Sequence, residues 1–149
     1  MGENQDLSIY EHQVSGRAWR PVSVRQMIAA VVAAVLLVIV DVFQLALAFG
    51  APAGAAAWGG TNPGVLPTRL RVASAVAGLF FYPAIILIVL EAGDVIDIGW
   101  EVAQVWLWVV VGFFSLGVLA NLASRSRAER IWAPVSLGIA VSIAFVAMG

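Results

Sequence analysis

Four uninterrupted apolar stretches, each close to the helix length that a bilayer demands, constrain this chain more than any other feature. A hydrocarbon core about 30 Å thick takes about 20 residues of helix. Residues 27–49, 72–90, 102–120 and 131–148 all come close to or exceed that length. Their polar members are few: Asp41 and Gln44, then Ser74 and the Tyr82 hydroxyl, then Gln104 and Ser115, then Ser136 and Ser142. Strand alternation is missing and four strands could not close a barrel, so only helices can satisfy the backbone in lipid. The expected fold is all-α, an integral membrane four-helix bundle forming one domain over residues 27–149, with a Gly/Pro-rich loop between helices 1 and 2.

Composition excludes the alternatives. Apolar residues make up 62% of the 149 and charged ones 11%, against about a quarter charged in a soluble domain. Mean hydropathy is +0.96. A globule this small buries only about two-thirds of its chain surface, too little to hide so much apolar area, so a soluble enzyme and a disordered chain are both ruled out. The eight basic residues are all arginine, nine residues are acidic, and the formal charge is −1. With no basic stripe, nucleic acid is not an expected partner. Cysteine is absent and His12 is the single histidine, which removes thiolate chemistry and a bis-histidine haem. No metal, cofactor or catalytic set is expected.

Residues 1–26 form a polar leader containing Glu3, Asp6, Glu11, Arg17, Arg20 and Arg25. The run 27–49 is longer than the roughly 7–15 residues of a signal-peptide core, so the leader is expected to be retained despite the small-residue site Ala46-Leu47-Ala48. Leu7, Ile9, Tyr10, Val14 and Trp19 suit it to the membrane surface. Arg69, Arg71, Arg125, Arg127 and Arg130 fall on one side of the four spans and Arg17, Arg20 and Arg25 on the other. The positive-inside rule then makes the first side cytoplasmic in a multi-pass cell-membrane protein with both termini outside, although the leader's arginines oppose its translocation. No inverted repeat is visible.

Several residues invite a functional reading. Asp41 and Gln44 lie three apart and share a helix face. With the span ending near Gly50, Asp41 sits about 13 Å deep at 1.5 Å per residue, where an unpaired acid costs several kcal/mol. It is either part of a proton or cation path, a hook for a ligand, or a clamp bonded to Asn121, Ser74 or an arginine. Residues 50–68 hold five glycines and three prolines, consistent with a re-entrant stretch, an interfacial one resting on Trp58, or a close-packed connector. Its amides, beside Arg69 and Arg71, could cradle an anion. Arg69-x-Arg71 and Arg125-x-Arg127-x-x-Arg130 share that face, where guanidinium forks suit phosphate or carboxylate or simply meet lipid headgroups. Glu129 is their local counter-charge.

On the opposite face, Glu91, Asp94, Asp97 and Glu101 form a solvated turn without calcium-loop spacing. Trp100 and Trp106 there, and Trp58 and Trp132 on the arginine face, are placed as interfacial belts, with Trp108 packed deeper. Ala29/Ala33, Ala30/Ala34, Ser74/Gly78 and Gly138/Ser142 have the small-xxx-small spacing of close helix contacts. Pro83 after Tyr82 predicts a kink.

The segments Gly50-Ala51-Pro52-x-Gly54, Trp58-Gly59-Gly60, Leu66-Pro67-x-Arg69-Leu70-Arg71 with Ser74, and Ser124-x-Ser126-x-x-Glu129-Arg130 with Pro134 resemble those of a group of small bacterial four-span membrane proteins. The likeness covers most of the chain beyond the leader. It implies the architecture, and that the loop after span one and the turn before span four form one unit, but no particular activity.

The functional expectation is a non-enzymatic membrane protein that binds a membrane lipid or small amphiphile, or serves as an accessory subunit or homo-oligomer in a larger membrane assembly. The alternative is a small oligomeric transporter or channel with Asp41 and Gln44 in its path. A third is a lipid-modifying enzyme with Asp41 as base. Candidate site residues are Asp41, Gln44, Arg69, Arg71, Asn121 and Arg130.

Overall fold

A computed structural model describes residues 23–99 and 101–149; the expectations for residues 1–22 and Trp100 lie outside them. Helix α1, Val24–Ala48, begins a few residues before the apolar run, because Ser23 and Gln26 form a reciprocal cap. Two orphan amides at the helix start are satisfied in this way, so Arg25 and Gln26 are helical although they are polar.

Helix α2, Thr68–Ala92, takes in Arg69 and Arg71 at its first turns. The kink expected at Pro83 appears as a wide turn over Ala77–Phe81, in which the Tyr82 amide donates to the Ala77 carbonyl five residues back. Pro83 offers no N–H and its ring crowds the carbonyl four residues earlier. Widening one turn relieves that crowding without breaking the helix.

Helix α3 is Gln104–Ala123 and α4 is Arg127–Ala147, the latter briefly irregular at Ile131, where Pro134 has no amide to return to Arg130. No strand occurs among the described residues, and all four helices are long and apolar enough to cross a membrane.

Small residues set the packing. Ala30, Ala33 and Ala34 are buried along α1, and a Cβ on Gly138 of α4 would stand 2.9 Å from a methyl of Leu36. Backbones therefore approach closely, and α1 packs on both α2 and α4 while α3 packs on α4. Leu37, Ile85, Val89, Ile139 and Ile143 fill the centre. Contact between α2 and α3 is sparse and includes the Phe81 and Phe113 rings, 5.2 Å apart. That edge is the loose side of the bundle.

The outward faces are as apolar as the core: Val35, Phe80, Leu116 and Phe145 are all exposed. Trp108, expected to pack, is 46% exposed and belongs to this outer surface. One end of the bundle gathers Gln26, Gln104 and the carboxy-terminal residues, with the Gln26 and Gln104 amides donating to the carbonyls of Val146 and Ala147. At the same end, the acidic turn folds its carboxylates onto its own amides, Ile98 to Glu91 and Gly99 to Asp97. The other end carries residues 49–67, the turn 124–126 and the arginines from Arg69 to Arg130.

Candidate functional site

Residues 50–67 pack into the end of the bundle. Two short turns, Gly54–Ala56 and Trp58–Gly60, shape the segment, and Ala57 and Leu66 bury themselves with Leu47 in a small second core. The Trp58 indole donates to Ser74 at 3.0 Å. Ser74 is fully buried and six residues into α2, about 9 Å below its start at 1.5 Å per residue. Trp58 itself has φ +55, an unusual backbone for a bulky residue that the anchored indole holds in place.

Helix α4 and the turn before it hold the other side of the loop. The Gly59 amide donates to Glu129 at 2.8 Å, and the second carboxylate oxygen of Glu129 accepts from the Ser124 hydroxyl. Ser126 donates to the Ala55 carbonyl, and the Trp132 indole donates to the Ala56 carbonyl at 2.9 Å while its ring lies 4.6 Å from that of Phe43. Gly60 marks the closest approach: it has φ +66, and a Cβ there would come 2.3 Å from the Ser126 Cβ. Only glycine fits both demands.

Glu129, expected to offset the arginines, is instead buried and turned to the loop. Ser126 and Glu129 have the spacing of a helix capping box, yet neither side chain caps α4 in that way. The Trp58 and Trp132 indoles, expected at the interface, point their N–H groups inward.

The structure does not bring the candidate arginines to one point. Arg71 donates to the Ala48 carbonyl at 3.0 Å and Arg130 to the Ser124 carbonyl at 2.9 Å. Each therefore meets a helix carboxy-terminal end, where the negative end of the dipole favours a cation. Arg69, Arg125 and Arg127 are exposed.

Beneath the loop, on the loose side of the bundle, lies a crevice of about 380 Å³. Its walls include Phe43, Tyr82, Phe113, Phe114 and Trp132, and its polar members are Gln44, Asn121, Ser136 and Glu129. Asn121 donates to Ser136 at 3.4 Å. A more polar recess of about 530 Å³ adjoins it, bordered by Gly59, Gly60, Ser124, Arg125 and Ser126 and sharing Asn121 and Glu129 with the crevice. Polar and aromatic side chains are thus interleaved along the crevice wall, with Trp58 and Trp132 at the loop and Ser136 and Tyr82 deeper. Of the candidate site residues, Gln44 and Asn121 border this space; Asp41, Arg69, Arg71 and Arg130 do not.

Asp41 faces α2. A Cβ on Gly78 would stand 3.3 Å from its Oδ1 and 2.7 Å from a methyl of Leu45, so the wide turn of α2 and the missing side chain make its room. Asp41 Oδ1 and Gln44 Oε1 are both buried without a hydrogen-bond partner. The clamp partners considered for Asp41 are engaged elsewhere, Asn121 with Ser136 and Ser74 with Trp58. Among the described residues, no group of three or more His, Cys, Asp or Glu side chains is placed to hold a metal.

Residue-by-residue reading missed Glu129, Ser124, Ser126, Ser136 and Tyr82 as parts of this site. The Ser124-x-Ser126-x-x-Glu129 spacing was the available signal. Comparison with protein-family models, curated proteins and solved structures gives no match to this chain.

Proposed function

We propose that this chain is a multi-pass protein of the cell membrane that holds a lipid or small amphiphile in the crevice beneath the loop and performs no chemistry on it. One observation carries the proposal: an aromatic-walled space of about 380 Å³ with a few polar side chains, Gln44, Asn121, Glu129 and Ser136, on its wall. Binding sites for small amphiphiles are mostly apolar with a few convergent polar groups, and the sparse contact between α2 and α3 gives a chain access from the side. The positive-inside rule puts the arginine end in the cytoplasm and both termini outside. A role as accessory subunit or homo-oligomer is compatible with the same site, since a chain held at that edge would also meet a neighbouring helix.

Native mass spectrometry after mild detergent extraction tests the proposal. Gly117 borders the crevice, and a leucine there, its Cβ 3.5 Å from the Ser136 hydroxyl, would narrow it. Gly117→Leu should abolish co-purifying lipid, while Gly112→Leu, where a Cβ meets open space, should leave it unchanged. Equal retention by both variants would refute the assignment.

The second reading, a small oligomeric transporter with Asp41 and Gln44 in its path, draws on their unpartnered oxygens beside the wide turn of α2, a feature often found at functional sites. On that reading Asp41→Asn should abolish a pH- or ion-coupled flux in reconstituted vesicles. Unchanged flux would remove it.

A further inference from the structure

We infer that the crevice selects amphiphiles with a cationic, N–H-donating head, a long-chain primary amine, over chains of equal length headed by carboxylate or phosphate. This rests on the reading of the crevice as an amphiphile site, and it reverses the anion preference that the neighbouring arginines suggest.

The argument is one of complementarity. Glu129 is the one formally charged side chain lining the aromatic crevice, and it is only 8% exposed. Its two oxygens accept from neutral donors, the Gly59 amide and the Ser124 hydroxyl, and its place in the first turn of α4 gives it only the partial positive charge of the helix dipole. Arg71 and Arg130 are drawn off to helix ends, and Arg125 borders only the outer recess, where it is exposed and screened by water. Buried carboxylates without a cation are costly.

Hydrogen-bonding capacity points the same way. Most of the strong donors at the loop end are already committed: the Gly59 amide and Ser124 to Glu129, the Asn121 amide to Ser136, and the two indoles to Ser74 and Ala56. On the crevice wall, the buried side-chain atom without a partner is an acceptor, Gln44 Oε1. An ammonium carries three donors and no acceptor, and its bond to a carboxylate is among the strong ones. A carboxylate or phosphate head would bring only acceptors and a like charge into a low-dielectric space.

The test uses a diazirine-bearing alkyl chain bound to the full-length protein in uncharged micelles, with crosslinks mapped by mass spectrometry to the segment 113–121. Unlabelled alkylamine, alkanol and alkanoate of one chain length then compete. The amine should displace the probe at about tenfold lower concentration than the alkanoate, about 1.4 kcal/mol of preference, with the alkanol between them.

Glu129→Gln keeps an oxygen for the Gly59 amide but drops the charge, and should bring amine and alkanoate to near parity with loop hydrogen exchange unchanged. If the alkanoate competes as well as the amine in the native protein, head selection is overturned while the amphiphile reading stands. An amine preference that survives Glu129→Gln overturns the role given to Glu129. Should no chain label 113–121, the amphiphile reading falls as well. The native-protein competition decides the head preference even if Glu129→Gln fails to fold.

Discussion

Three glycines of the loop make a graded experiment. At Gly60 an alanine would have to hold φ +66 and place its Cβ 2.3 Å from that of Ser126. The left-handed backbone costs about 1–2 kcal/mol. Displacing Ser126 breaks its bond to the Ala55 carbonyl, worth about 1 kcal/mol more. The docked loop should therefore lose about 2–3 kcal/mol, a shift of roughly 30- to 150-fold in the opening equilibrium at 1.4 kcal/mol per decade.

At Gly59 the backbone is also left-handed, φ +83, but a Cβ meets nothing within 4 Å. Only the backbone cost applies there, roughly 5- to 30-fold. Gly64 has open space and no positive φ, so Gly64→Ala should be neutral or slightly protective through the unfolded chain. Hydrogen exchange of the loop amides in micelles reads all three. The Gly54 amide, bonded to the Gly64 carbonyl at 2.9 Å, and the Ala57 amide, bonded to Gly54 at 3.2 Å, are the reporters. If Gly60→Ala exchanges no faster than Gly64→Ala, the loop is not clamped at Ser126.

Other outcomes follow from the same contacts. Because the chain has no cysteine, single Asp94→Cys and Arg125→Cys variants should react with an impermeant maleimide from opposite sides of a sealed membrane; labelling from one side would contradict the four-span arrangement. Asp41→Asn keeps the shape of a side chain whose buried oxygen has no partner, so its thermal unfolding in detergent should occur no earlier than wild type, and a loss above about 1 kcal/mol would show that the carboxyl group has a partner. Arg71→Met should cost about 0.5–1 kcal/mol by uncapping α1. Arg69→Met, at an exposed position, should stay within about 0.5 kcal/mol, and equal losses would refute the capping role.

Much of the fold was legible because it depends on short-range properties. Apolar length locates the helices, and each extends or begins a few residues beyond its hydrophobic run where a cap or turn continues the backbone, as at Ser23 and Pro67. Small-residue spacing located the close contacts at Ala30, Ala34 and Gly78. Proline at position 83 foretold a distortion but not its form, because whether a helix bends or widens depends on what its neighbour leaves room for, here Asp41 opposite Gly78.

By itself the sequence determined that four helices must form, that their outer faces are as oily as their inner ones, and that five arginines share an end. Those are consequences of hydrophobic length and of counting. Tertiary structure alone decided which polar groups meet. Gly59 and Glu129 lie 70 positions apart, Ala55 and Ser126 71, and Ala56 and Trp132 76. The Ser124-x-Ser126-x-x-Glu129 spacing marks the turn, but it does not say which acceptor or donor on the loop its side chains meet. That choice is made when the loop docks on the bundle, which sets the Gly59 amide 2.8 Å from the carboxylate that the start of α4 delivers.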